Sequence, residues 1–224
     1  PKAMMKQRVT VQDVMDSRWI IRPVAHLLDC CLETDNATCV IVTSAERAKN
    51  LQQTPTHIIG VQGRGTKPGG DFHFQHGSMT QVAGHYVGPR ILEMAGVKHD
   101  DIDVTGCYDA FTYTVMLQLE DYGWCKKGEG KDYVKSGAIN LGGKTPNNTS
   151  GGHLCEAYTH GMNMVIENVR QLRGTVDDYC PNAANGEHTY DYSEGACRQV
   201  KGAEISMNMG WGTPAVGSAL IMRK

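Results

Sequence analysis

Residues 102–107 (IDVTGC) read as a strand, and directly after them Phe111, Val115, Leu119 and Tyr122 recur at intervals of four, four and three. That spacing puts the four side chains on one face of a helix stopped at Gly123. Only Tyr108-Asp109-Ala110 lies between the two patterns, so the chain must turn from strand to helix over three residues.

Similar signals recur along the chain. Residues 39–43 (CVIVT) form a β-branched run of the kind buried in a sheet, and Ser44-Ala45-Glu46-Arg47-Ala48 reads as a capped helix start. Pro55 interrupts the chain, and residues 57–62 (HIIGVQ) again read as a strand. Within residues 78–95, Val82, Tyr86, Leu92 and Ala95 predict a helix with Gly96 as its stop. Ser150-Gly151-Gly152 forms a second junction, after which Leu154, Tyr158, Met162, Val165, Val169 and Leu172 predict one long helix closed by Gly174. Residues 204–222 hold two apolar runs around Gly210-Trp211-Gly212-Thr213-Pro214, a hairpin signal.

The expectation is an α/β domain, a layered mixed sheet with helices, over residues 55–224. Residues 175–200, rich in Asp, Asn, Gly and Tyr, form an irregular excursion from it. Residues 1–28 lack a full strand or helix pattern, so residues 1–54 read as the remnant of another unit. The opening Pro1-Lys2-Ala3, without an initiator Met, fits a segment preceding this one.

Composition removes several function classes. With 22 basic and 24 acidic residues and no long Lys/Arg run, no basic footprint for nucleic acid exists. No apolar run is long enough to cross a bilayer and no signal-peptide layout is present, so a cytoplasmic protein without a membrane partner is expected. The eight cysteines contain no C-x-x-C pair and read as reduced, mostly buried thiols. Among nine histidines the only tight pair is His73 and His76, with no Cys or carboxylate at ligand spacing, so no metal site is expected.

Open α/β sheets gather ligands at their strand-to-helix ends, which points to Tyr108 and to the Gly151-Gly152 turn. Each also has a plain packing reading. Tyr108 fits a half-buried corner residue, and Tyr158 fits its helix stripe. Gly151 and Gly152 serve either close helix packing or approach of backbone N–H groups to a ligand oxygen, and His160 fits a structural or solvent-facing residue.

Several blocks together resemble the thiolase family. Residues 88–122 are similar to the thiolase C-terminal domain, where a helix, a strand and an N-E-A-F or H-D-C-F box follow one another. Residues 148–161 (NTSGGHLCEAYTHG) resemble the N-x-x-G-G stretch and its G-H-P box, and residues 28–47 resemble the last strand and helix of the N-terminal domain. Tyrosines depart from that pattern. Tyr108 stands where the first box has Asn or His, Tyr158 where the catalytic His belongs, and Asn208-Met209-Gly210 takes the place of the terminal C-x-G box.

That tyrosine pair resembles the sterol-side-chain aldolases of the lipid-transfer-protein branch, whose Y-D-x-F-T and G-G-x-x-x-E-A-Y-x-H-G boxes match residues 108–112 and 151–161. The resemblance implies a thiolase-like fold, specifically the C-terminal half of its duplicated architecture. It implies retro-aldol cleavage of a β-hydroxyacyl-CoA with a bulky, sterol-like acyl group, the coenzyme A thioester being substrate and no cofactor tightly bound. Tyr108 and Tyr158 would be catalytic, without assignment of the base; Gly151, Gly152, His160, Asn208 and Gly210 would line the substrate and oxyanion pocket. Implied partners are an N-terminal thiolase half, a second copy in a homodimer, and an acyl-CoA-binding protein with an OB fold and a zinc ribbon that holds the zinc. Two alternatives stand beside it: a thiolase-type acyltransferase whose Cys lies in the N-terminal half, and a non-catalytic thiolase-like subunit.

Overall fold

A computed structural model describes residues 3–5, 7, 9–66, 80–176, 198–213 and 215–224. His73 and His76, most of the 175–200 excursion, Cys180 and Cys197 lie outside the described residues.

The N-terminal stretch is more ordered than its mixed pattern suggests. Helix α1 (Val11–Asp16) is capped by Thr10, whose hydroxyl takes the Asp13 N–H while the Asp13 carboxylate takes the Thr10 N–H. A small hairpin follows, β1 (Trp19–Ile21) with β2 (Ala25–His26). Residues 39–43 do not form the expected strand. Ile41 is 87% exposed and Val42 73%, and no described strand lies alongside. β-branched residues favour a pleated surface only when a neighbour supplies the ladder. Helix α2 (Ala45–Ala48) does start at Ser44, whose hydroxyl accepts from the Arg47 N–H.

The main sheet is built from β3 (His57–Thr66), β4 (Val104–Cys107), β5 (Ile205–Thr213) and β6 (Val216–Arg223), ordered β3-β6-β5-β4. β4 runs parallel to β5 and the other pairs are antiparallel, so the sheet is mixed as expected. The hairpin between β5 and β6 forms, but β5 continues through Gly210-Trp211-Gly212-Thr213, which places the turn later than the glycines suggest.

Side-chain alternation divides the sheet. Cys107, Ile205, Met207, Met209, Ala219 and Ile221 join one core with residues of α3 (Gly84–Ala95) and α4 (Thr112–Asp121). Within it, Val87, Ile91, Val115, Leu119 and Tyr122 supply the helical side. Both helices end as predicted: Gly96 at φ 64 closes α3 and Gly123 at φ 89 follows α4. A short helix, α5 (Gly130–Lys135), follows.

The opposite face of the sheet meets the predicted long helix, which is in fact two. α6 (Gly152–Cys155) and α7 (Met162–Arg173) are separated by residues 156–161. His160 and Gly161 have φ of 50 and 88, outside any right-handed helix, and the Thr159 hydroxyl caps the new start by accepting the Asn163 N–H at 3.0 Å. Tyr158 therefore sits in a loop and not on a stripe. α7 also buries a polar row, Asn163, Glu167, Asn168 and Gln171, while Val165 and Val169 only partly pack against Leu172, Ala203 and Met222. Glu167 is satisfied by the Thr149 hydroxyl and by a two-pronged bond from Arg198, and Gln171 donates to Thr149 Oγ1. These bonds tie Thr149, two residues before Gly151, to α7.

The six described thiols are free but less buried than expected. Cys107 is buried, Cys30, Cys31 and Cys125 are intermediate, and Cys39 and Cys155 are exposed.

Candidate active site

Tyr108 leaves the end of β4 with its backbone held on both sides. Its N–H donates to the Met209 carbonyl of β5 (3.0 Å), and its carbonyl takes the buried Gln118 side-chain amide of α4 (2.7 Å). Asn148 fixes the strand end, its amide exchanging both hydrogen bonds with the Cys107 backbone at 2.7 and 2.8 Å. That pairing imitates a ladder partner and explains a non-glycine residue at φ 49.

The loop between α6 and α7 brings Tyr158 and His160 to the same point. The Tyr108 and Tyr158 hydroxyls share a short hydrogen bond, and His160 Nδ1 lies 3.2 Å from the Tyr108 hydroxyl and 3.4 Å from that of Tyr158. His160 is exposed while Tyr108 is buried. Burial first, then the Tyr158 hydroxyl beside it, pushes Tyr108 far above the usual phenol range. Tyr108 thus keeps its proton, and its hydroxyl can donate toward Tyr158, which lies in the more open position.

Beneath the tyrosines lie two residues that sequence reasoning passed over. Asp109 takes the His153 N–H at 2.8 Å and the Leu154 N–H at 3.4 Å. The His153 ring is edge-on to Tyr108 and to Tyr158, both at 4.6 Å between centroids. Its Nε2 accepts the Gly161 N–H at 2.8 Å, and its Nδ1 lies 3.2 Å from Asp109 Oδ1, out of hydrogen-bond alignment. Burial raises Asp109 to about 7. Burial, then the neighbouring His160, lowers His153 to about 4. The Y-D-x-F-T box does contain Asp109, so the corner after β4 offered a signal for it.

Gly151 and Gly152 make this arrangement fit. Gly152 has φ 59, and a Cβ there would stand 2.2 Å from Asp109 Oδ2. The Gly151 N–H is taken by the Asn148 carbonyl at 2.8 Å, so it is not a free oxyanion donor. Segment 30–34 laces over the other side: Cys31 N–H donates to Ala110, Leu32 N–H to His153, and Thr34 Oγ1 accepts the Tyr158 N–H.

Asn208 and Gly210 flank Met209 on β5 and, by alternation, share the α7 face with Gly106 and the corner at Tyr108. Neither hydrogen-bonds the hydroxyl of Tyr108 or Tyr158 among the described residues; the Gly210 carbonyl instead accepts from the Tyr122 hydroxyl at 3.5 Å. Asn208 is 7% exposed, with Nδ2 and Oδ1 both lacking a partner. Gly210 lies against Ser218 of β6, whose Oγ would be 2.2 Å from an added Cβ. The structure therefore joins Tyr108, Tyr158 and His160 directly, links Gly151 and Gly152 to them through Asp109 and His153, and leaves Asn208 and Gly210 one strand away. No group of three or more His, Cys, Asp or Glu suited to a metal occurs among the described residues.

A donor phenol, a second phenol in hydrogen-bond contact with it, and an imidazole reaching both can move a proton without a covalent intermediate. Comparison with known proteins agrees with the sequence resemblance. A family model described as thiolase C-terminal domain-like matches residues 70–190. The 17-hydroxy-3-oxo-4-pregnene-20-carboxyl-CoA lyase of Mycobacterium tuberculosis is 41% identical over 181 residues, covering 78% of this chain and 46% of that protein. The steroid side-chain-cleaving aldolase of Thermomonospora curvata is 42% identical over 178 residues, covering 78% and 45%. The solved structure of an Ltp2-ChsH2(DUF35) aldolase superposes with a TM-score of 0.75 at 32% identity, covering 96% of this chain and 51% of that chain. The chain spans about half the length of the curated relatives it matches.

Proposed function

We propose, from the premise that this chain belongs to the thiolase C-terminal domain-like family, that the protein is an acyl-CoA aldolase, a carbon–carbon lyase acting on a β-hydroxyacyl-CoA thioester. The observation that carries this reading is the hydrogen-bonded pair Tyr108 and Tyr158 at the strand end where an acyl-transfer site would need a His. The likeness to two proteins named as a pregnene-carboxyl-CoA lyase and a steroid side-chain-cleaving aldolase supports a bulky, sterol-like acyl group.

In the reaction, a base removes the β-hydroxyl proton, the Cα–Cβ bond breaks, the β-carbon leaves as a ketone or aldehyde, and the bond's electron pair forms the thioester enolate. An acid then protonates Cα. Tyr158 is the base, its proton passing to His160 Nδ1 while the Tyr108 hydroxyl donates to its oxygen. Tyr108, held protonated, keeps donating that hydrogen bond, Cα takes the proton that Tyr158 removed from the β-hydroxyl, and His160 then returns its proton to Tyr158. The enolate oxygen is received on the α7 face of the sheet beside Gly152, Asn208 and Gly210, where the unpaired Asn208 amide offers a buried donor. Coenzyme A enters as part of the substrate and no tightly bound cofactor is needed.

Residues 1–54 go with an N-terminal thiolase half and residues 55–224 form the C-terminal domain. The working assembly is a homodimer joined by an acyl-CoA-binding partner with an OB fold and a zinc ribbon. The second protein named with the aldolase neighbour supports a partner protein in that assembly. A cytoplasmic setting suits the free thiols of all six described cysteines, and no helix among the described residues is long and apolar enough to cross a membrane.

The test is product formation from a β-hydroxyacyl-CoA in the absence of free coenzyme A. Aldol cleavage yields a carbonyl product and a shorter acyl-CoA in equal amounts without an acceptor thiol. A strict requirement for free coenzyme A would instead assign thiolytic acyl transfer.

A further inference from the structure

His153 is fully buried, and its ring touches both members of the tyrosine pair. Its N–H is fixed by Asp109 and its carbonyl by Leu32. Its Nε2 accepts the N–H of Gly161, which opens α7 at φ 88 and follows His160 directly. An acceptor nitrogen carries no proton, so the neutral ring must carry its proton on Nδ1, the atom that faces Asp109 Oδ1 at 3.2 Å. A second proton on the ring would set N–H against N–H at Gly161 and displace the loop that holds Tyr158 and His160.

The ring also stands between the two phenols, edge-on to each at 4.6 Å, whereas the phenol centroids are 6.1 Å apart. Such edge-to-face pairs are directional, so the imidazole sets the angle at which the two hydroxyls meet.

We propose that His153 is a positioning residue for the tyrosine pair: a permanently neutral, Nδ1-protonated imidazole that anchors the Tyr158–Gly161 loop through Gly161 and spaces both phenol rings, with Asp109 clamping it from below. Its bearing on catalysis rests on the aldolase reading; its structural content does not. Among the described residues, the groups facing the pair are Tyr108, Tyr158, His160 and the Asn163 amide around the ring, and the Asn148 amide with the thiols of Cys31, Cys107 and Cys155 around the carboxyl, with no Lys or Arg among them. Burial first, then the neighbouring His160, keeps the ring neutral. The same burial favours a protonated Asp109, which leaves both partners uncharged.

The experiment uses the intact protein with 15N-labelled histidine. His153 is expected to show the neutral Nδ1–H tautomer from pH 8 down to pH 5, with its signal moving as Asp109 titrates and that movement absent in Asp109→Asn. Titration of the ring near the ordinary histidine value of ~6.5, or an Nε2–H tautomer, would overturn the proposal. Two variants add a second readout. His153→Gln retains an acceptor for Gly161 and His153→Leu does not, so amide exchange at Gly161 should speed up by on the order of 10-fold or more in the leucine variant alone. kcat should follow the same order, falling on the order of 10-fold in His153→Leu at a near-constant KM and recovering in His153→Gln. Equal exchange and equal kcat in the two variants would overturn the anchor. If the tautomer and exchange results hold while the unsubstituted protein shows no lyase turnover, the positioning stands and the aldolase reading falls.

Discussion

Asp109 and His153 form a buried pair, Oδ1 to Nδ1 at 3.2 Å with side chains 4% and 0% exposed, and burial moves their proton affinities toward each other's ordinary range. Asp109 rises to about 7 and His153 falls to about 4. In an unfolded chain the ordinary values are ~3.9 and ~6.5. Between roughly pH 4 and 6.5 the folded pair holds one proton, on Asp109, and the unfolded pair also holds one, on the histidine. Folding moves that proton without changing the count, so the pair adds almost no pH slope to stability.

Single substitutions should expose opposite slopes. In Asp109→Asn the unfolded chain alone binds the proton, so stability should fall as pH falls from about 6.5 toward 4. In His153→Gln the folded state alone binds it, so stability should fall as pH rises from about 4 through 7. Each slope is at most about 1.4 kcal/mol per pH unit. Denaturant midpoints from pH 4.5 to 7 measure this, and parallel slopes in both variants would contradict the pairing.

Gly152→Ala should disturb the site more than an alanine at another left-handed glycine. Gly152 has φ 59 with Asp109 Oδ2 2.2 Å from the added Cβ, whereas Gly174 has φ 71 and nothing within 4 Å. The backbone penalty is common to both, on the order of 1 kcal/mol, and overpacking adds about 1–3 kcal/mol at Gly152 only. Thermal midpoints of the two variants check the difference, and equal losses would show that Asp109 gives way freely.

Asn208→Leu separates stability from function. The amide is buried with both polar atoms unpaired, so an apolar side chain of similar volume should stabilise the fold by roughly 1–2 kcal/mol. Turnover should fall if that amide receives the thioester enolate oxygen. A loss of stability would mean that Asn208 has a partner within the fold, and unchanged turnover would remove it from the pocket.

The parts of this molecule legible in the sequence are those written locally. Phe111, Val115, Leu119 and Tyr122 announce α4, Gly96 and Gly123 mark the ends of α3 and α4, and Tyr108 lies at the corner that the change of pattern demands. Tertiary relations were not legible. His153 owes its function to Asp109, 44 residues away, and to Gly161. Residues 39–43 carried strand propensity without a ladder partner to realise it. The break between α6 and α7 did leave a trace, since Thr159 and Gly161 before Met162 are helix-start residues. An apolar spacing that continued through residues 154–172 outweighed it.

The most direct test of the central claim is turnover of a β-hydroxyacyl-CoA by Tyr108→Phe, Tyr158→Phe and the double variant of the intact protein, with thermal midpoint as control. Phe keeps each ring and removes only the hydroxyl. Each single variant should lose on the order of 10²-fold in kcat while stability changes by roughly 1 kcal/mol. Because the two hydroxyls are hydrogen-bonded and act as one unit, the double variant should lose little more than either single one. Turnover within about twofold of the unsubstituted protein in both single variants, against the 10²-fold expected of general acid–base groups, would contradict the account and return the two tyrosines to packing.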